Sequence, residues 1–85
     1  MGEVNYANLV VGLITPLVTH PSDVEVLVTT GDNDEVKVTA LVHKDDLGRV
    51  IGKKGRVAGA IRTMANAVAT RNKQEIEIEF ASKED

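Results

Sequence analysis

Residues 75–80 read E-I-E-I-E-F and alternate without a fault. A strand turns successive side chains to opposite faces. Ile76, Ile78 and Phe80 therefore need an apolar layer beneath them, and Glu75, Glu77 and Glu79 need water. A sheet built on this strand is open on one side, so the rest of the apolar chain must lie on the other. Residues 35–43, E-V-K-V-T-A-L-V-H, repeat the pattern with Val36, Val38, Ala40 and Val42 on one face. Residues 24–30, V-E-V-L-V-T-T, are β-branched and roughly alternating, and the turn cluster G-D-N-D follows. Two strands joined by a short polar turn predict a hairpin.

The helical period supplies the other layer. Tyr6, Leu9, Val10, Leu13, Ile14, Leu17 and Val18 recur at helical spacing over residues 5–19, with Asn5 placed to cap the start. Pro16 cannot bond the Gly12 carbonyl and should kink or loosen the last turn. Residues 45–51 read as a short helix. Residues 56–71 read as a longer one, with Val57, Ile61, Met64 and Val68 as its core stripe and Ala58, Ala65 and Ala69 widening that stripe. Ala60 and Ala67 then face outward. The chain from the second strand to the third passes through two helices, and a crossover of that kind makes the two strands parallel. The expectation is an α+β domain of order α-β-β-α-α-β, with a three-stranded mixed sheet and three helices on one face.

The 85 residues make one small domain, with its core at about 4–80 and a polar tail at 81–85. Without cysteine it has neither disulfides nor thiolate metal ligands, which fits a reducing cytoplasm. The longest apolar run, residues 9–18, is too short to cross a bilayer as a helix and has no basic region before it. A soluble cytoplasmic protein without a membrane anchor is expected. Tyr6 and Phe80 are the only aromatics among Phe, Tyr and Trp, which argues against binding built on stacking platforms.

The formal net charge is −3, but it is unevenly placed. Residues 43–73 hold eight Lys/Arg and two Asp, and the rest of the chain holds two Lys/Arg and eleven Asp/Glu. Screening over roughly 8 Å at physiological salt means that a ligand feels the local patch. At the centre of the basic segment stands V-I-G-K-K-G-R-V, residues 50–57. A nucleotide P-loop needs four residues between its glycines, a Lys-Ser/Thr pair and a preceding strand. Gly48 and Gly52 have only three residues between them, and Lys54 follows Lys53, so that reading fails, as does the dinucleotide fingerprint. A plain turn explains Gly52 and Gly55 but not two lysines at the tip with Arg49 and Arg56 just outside. A backbone clamp explains them all. Bare glycines admit a phosphate, a helix N-terminus favours it, and Lys53 and Lys54 supply charge.

The stretch L-G-R-V-I-G-K-K-G-R-V-A-G-A-I-R, residues 47–62, resembles the signature of a K-homology (KH) domain. The helix and two strands before it and the strand after it resemble the type II KH arrangement. The whole most resembles the small bacterial KhpA family of RNA-binding proteins. The resemblance implies that Gly52, Lys53, Lys54 and Gly55 clamp a short stretch of single-stranded RNA backbone. Leu47, Gly48, Val50 and Ile51 would sit on the first helix of the clamp, in part lining an apolar groove, and Gly48 would let a base pack closely. The strand from Val36 to Val42 would give the other wall and edge hydrogen bonds. Arg49, Arg56 and Arg62 are candidate phosphate contacts, with solvated helix surface as the other reading of Arg62. Gly59 is expected to be a close-packing position. The resemblance also implies a homodimer, a heteromer with a Jag-like KH protein of the KhpB family, or both. A protein-interaction module and a ribosome-assembly factor are the competing functions.

No catalysis, cofactor, metal or small-molecule substrate is expected. His20 and His43 lie far apart in the chain without ligand spacing. Asp32, Asp34 and Glu35 lack the rest of a calcium loop, and Glu75, Glu77 and Glu79 stand on an open face with no pocket to raise a pKa.

Overall fold

The computed structural model describes residues 4–83. Helix α1 (Tyr6–Ile14) is followed by β1 (Glu25–Thr30), β2 (Glu35–Val42), α2 (Leu47–Ile51), α3 (Arg56–Arg71) and β3 (Glu75–Ser82). Strand order is β1-β2-β3, with β1 antiparallel and β3 parallel to the central β2. This is the expected mixed sheet. Its three helices differ in length, and α2 is only five residues.

Register explains the one-sided core. Val36, Val38 and Ala40 face Ile76, Ile78 and Phe80 across the parallel pair and Thr30, Val28 and Val26 across the hairpin. The four inward residues of β2 and Ile78 are buried, together with Tyr6, Val10 and Ile14 of α1, Val50 of α2, and Ile61, Ala65 and Ala69 of α3. Helix α1 packs over β1 and β2, and α2 and α3 pack over β3. The opposite face carries the glutamates of β3 in water, with Lys37 Nζ 3.9 Å from Glu77.

Helix α1 starts as its sequence predicts, with Asn5 Oδ1 accepting from the Asn8 amide at 2.9 Å. It stops earlier than the apolar period suggested. Regular helix ends at Ile14, and Pro16 sits in a tighter 3₁₀ turn over Thr15–Leu17. A missing N–H is tolerated in the first turn of such a segment. Strand β3 runs on through Ala81 and Ser82, pairing with Leu41 and Val42, so these residues are sheet and not tail. The Lys83 amide continues the pairing by donating to the Val42 carbonyl at 2.7 Å.

The buried stripe of α3 differs from the expected one. Ala58, Ile61, Ala65 and Ala69 are buried, whereas Met64 is 47% exposed. Small side chains let the helix axis approach the sheet, so the alanines form the contact line and the helix turns the bulkier Met64 outward. Met64 thereby joins the exposed Ala60 and Ala67 on the outer surface. Gly59, expected to be a close-packing position, is not one: a β-carbon there would meet nothing within 4 Å.

Candidate nucleic-acid interface

The glycine–lysine loop is built outward from a buried carboxylate. Asp46 is fully buried at the entrance to α2. Its Oδ1 accepts from the Thr19 amide at 2.9 Å and hydroxyl at 2.8 Å, and its Oδ2 accepts from the His20 amide at 2.9 Å. Burial alone would raise this carboxyl, but the hydrogen bonds from Thr19 and His20 outweigh it and lower the pKa from 3.8 to about 2. The charge fixes the start of α2 against the segment that follows α1. Regular helix begins at Leu47, so Asp45 and Asp46 form the turn before it.

One and a half turns later α2 ends at Gly52, whose amide donates to the Gly48 carbonyl at 2.9 Å. Gly52 has φ 77° and ψ 172°. Lys54 and Gly55 follow in the left-handed region, at φ 58° and 73°. The chain thus reverses within four residues and enters α3 at Arg56. Lys53, Lys54 and Arg56 are exposed on this loop. No side chain caps the start of α3, so its positive end faces the same solvent as the lysines. A β-carbon on Gly55 would meet nothing within 4 Å, so the loop surface is open there.

The other expected residues divide. Gly48 is exposed on α2 with open space above it. Leu47 and Ile51 are half-buried, and Val50 belongs to the core. Arg49 is largely exposed, with Nε 3.7 Å from Asp46 Oδ1. Arg62 is not free for a ligand. Its Nε and one terminal nitrogen both donate to the Ile78 carbonyl at 3.3 and 3.2 Å, and its guanidinium lies 5.2 Å from the centre of the Phe80 ring. The expectation that β2 offers a strand edge is overturned, because β1 and β3 occupy both of its sides. The free edge beside α2 and α3 belongs to β3. Sequence reasoning also missed the proximity of the two histidines. The end of β2 brings His43 to His20, and their rings stack at 3.8 Å. No local spacing signals that contact, since it depends on the Asp46 anchor and the sheet together.

A family profile described as "KhpA/KhpB, KH domain" matches residues 7–80. The chain belongs to this KH-domain family. It is 44% identical over 73 residues to the RNA-binding protein KhpA of Listeria monocytogenes, covering 85% of this chain and 93% of that one. Over 80 residues it is 38% identical to the RNA-binding protein KhpA of Bacillus subtilis, covering 94% and 98%. Among solved structures it is similar to Era in complex with MgGDPNP and nucleotides 1506–1542 of 16S ribosomal RNA. That match has a TM-score of 0.58 and 18% identity, and it covers 91% of this chain but only 29% of Era, so it speaks for the fold. The match spans all six elements of the α-β-β-α-α-β order except the first residue of α1 and the end of β3, and it includes the glycine–lysine loop between α2 and α3. No helix among the described residues is long and apolar enough to cross a membrane.

Proposed function

We propose that this protein is a non-catalytic, cytoplasmic RNA-binding protein that grips a short stretch of single-stranded RNA backbone between α2 and α3. The observation that carries this reading is the Gly52-Lys53-Lys54-Gly55 loop with its two exposed lysines. Its two glycines adopt positive φ, its lysines stand at the tip, and the uncapped start of α3 lies immediately behind. A phosphate approaching the loop meets two full charges, a helix N-terminus and, at Gly55, no side chain. Arg49 and Arg56 flank this point and add to the field. Gly48 and Ile51 on α2 form the surface on which the attached bases rest. The free edge of β3 takes the wall that β2 cannot provide. The glutamates of the sheet's open face repel RNA and keep it on the helical side. The relatives' name, RNA-binding protein KhpA, supports the same assignment.

The decisive experiment replaces Lys53 and Lys54 together by Asp and measures binding to a short single-stranded RNA by fluorescence anisotropy. Loss of binding at an unchanged thermal midpoint is the expected result. Unaltered affinity in the folded double variant refutes the clamp.

One clamp on a few nucleotides binds weakly and with strong salt dependence, so the protein acts in company as a post-transcriptional regulator or RNA chaperone. The outer surface of α3, with Ala60, Met64 and Ala67, and the charge-free helix α1 beside it suit a second helical protein. A second copy or a Jag-like KH protein of the KhpB type pairs two clamps there, which raises avidity without new RNA contacts. The same surface of small and apolar side chains, with Arg56 and Arg71 at its two ends, is the observation that favours a mainly protein-associating role. The lysine tip favours RNA.

A further inference from the structure

A cluster outside the clamp has the donor set of a metal site. We propose that His20, His43 and Asp45 bind one divalent transition-metal ion, of the class of zinc, cobalt or nickel. One ligand atom from each of the three lies within 4.8 Å of the other two. His43 Nδ1 and Asp45 Oδ2 are 3.6 Å apart. Two ligands bound at about 2.1 Å around a tetrahedral ion stand roughly 3.4 Å from each other, so this pair is already close to chelating distance. Two imidazoles and one carboxylate select borderline ions over magnesium or calcium.

The buried carboxylate supplies what isolated surface histidines lack. Asp46 Oδ2 lies 3.3 Å from His20 Nδ1, and the Thr19 hydroxyl lies 3.0 Å from the same nitrogen. Asp46 thus draws the ring proton of His20 to Nδ1 and leaves Nε2 with its lone pair for an ion. A carboxylate behind a ligating imidazole, fixing its tautomer and raising its basicity, is a recurrent feature of zinc sites. Arg49 Nε lies 3.7 Å from the other oxygen of that carboxylate.

Two local interactions have to yield. The Asp45 amide donates to His43 Nδ1 at 3.0 Å, and an ion taking that nitrogen displaces the amide. The rings, parallel to within 10°, must splay so that their in-plane lone pairs converge. The side chains are 41% exposed for His20 and 24% for His43, so an ion can reach the pair from solvent. The three ligands come from the segment after α1, the end of β2 and the turn into α2. A bound ion joins these segments in a small domain that has no disulfide.

The test uses full-length protein freed of any affinity tag. Titration with Co²⁺ and Zn²⁺ should show saturable one-to-one binding and a rise in thermal midpoint that Mg²⁺ does not give. Imidazole ¹⁵N spectra should shift at His20 and His43. His43→Gln and Asp45→Asn should each lose the rise while keeping RNA binding. The proposal is overturned by absence of saturable binding, by binding that survives His43→Gln, or by shifts confined to other groups. If a variant does not fold, the imidazole spectra of the parent protein decide.

Discussion

A β-carbon on Gly52 would stand 2.5 Å from Cγ2 and 2.9 Å from the backbone nitrogen of Val57. The first residue of the glycine–lysine loop is therefore held against the first turn of α3, and side-chain adjustment alone cannot make room. Gly55 is different, since only its φ of 73° disfavours a side chain. Gly55→Ala should cost about 1 kcal/mol from backbone conformation. Gly52→Ala should cost clearly more, and adding Val57→Ala should recover only part of the loss because the backbone contact remains. Urea unfolding of the three variants measures the order.

Close approach of a phosphate at Gly55 makes a separate prediction. Gly55→Ala should weaken RNA binding beyond any loss of folded protein. Full RNA affinity in this variant means that the phosphate does not come near that residue.

Asp46 predicts a pH dependence. Its folded pKa of about 2 lies below the ordinary value of 3.8. A depressed carboxyl gives stability that is present above pH 3.8 and is lost as pH falls towards 2. The parent protein should lose stability across that window. Asp46→Asn should be less stable at neutral pH and should lack this component of the acid transition. Thermal midpoints from pH 7 to pH 2 compare the two slopes.

Arg62 and Arg56 should separate cleanly although both lie on α3. Arg62→Ala removes the donors to the Ile78 carbonyl and the cation over Phe80, so it should lower stability by about 1 kcal/mol and leave the salt dependence of RNA binding unchanged. Arg56→Ala should be neutral for stability and reduce the salt slope by roughly one phosphate contact. Binding at several salt concentrations distinguishes them.

Ala60→Glu or Ala67→Glu should split self-associated protein and lower RNA affinity with the lysine tip intact. Light scattering at micromolar concentration checks the first half. A monomeric parent protein, with no partner added, removes self-association and leaves a heteromeric partner as the remaining role of that surface.

The residues alone determined the order of elements, the one-sided sheet and the position of the glycine–lysine loop. Strict alternation at 35–42 and 75–80 admits one pairing of faces, because a shift of one residue would bury three glutamates. Gly52 and Gly55 around two lysines are legible because a φ restriction and a charge are properties of a residue type. What tertiary structure decided is whatever depends on which surfaces meet. The alanines of α3 became its contact line, and Met64 its exposed residue, only through the close approach of helix to sheet. Arg62 was drawn from the basic patch to the Ile78 carbonyl because that free sheet edge lies beneath it. Val36–Val42 lost its free edge because a parallel crossover and a hairpin placed β3 and β1 on opposite sides of it. His20 and His43, with 22 residues between them in the chain, met because the buried Asp46 carboxylate needs hydrogen-bond donors and takes two of them from Thr19 and one from the His20 amide. A burial requirement of that kind is satisfied across the fold and leaves no local period in the sequence.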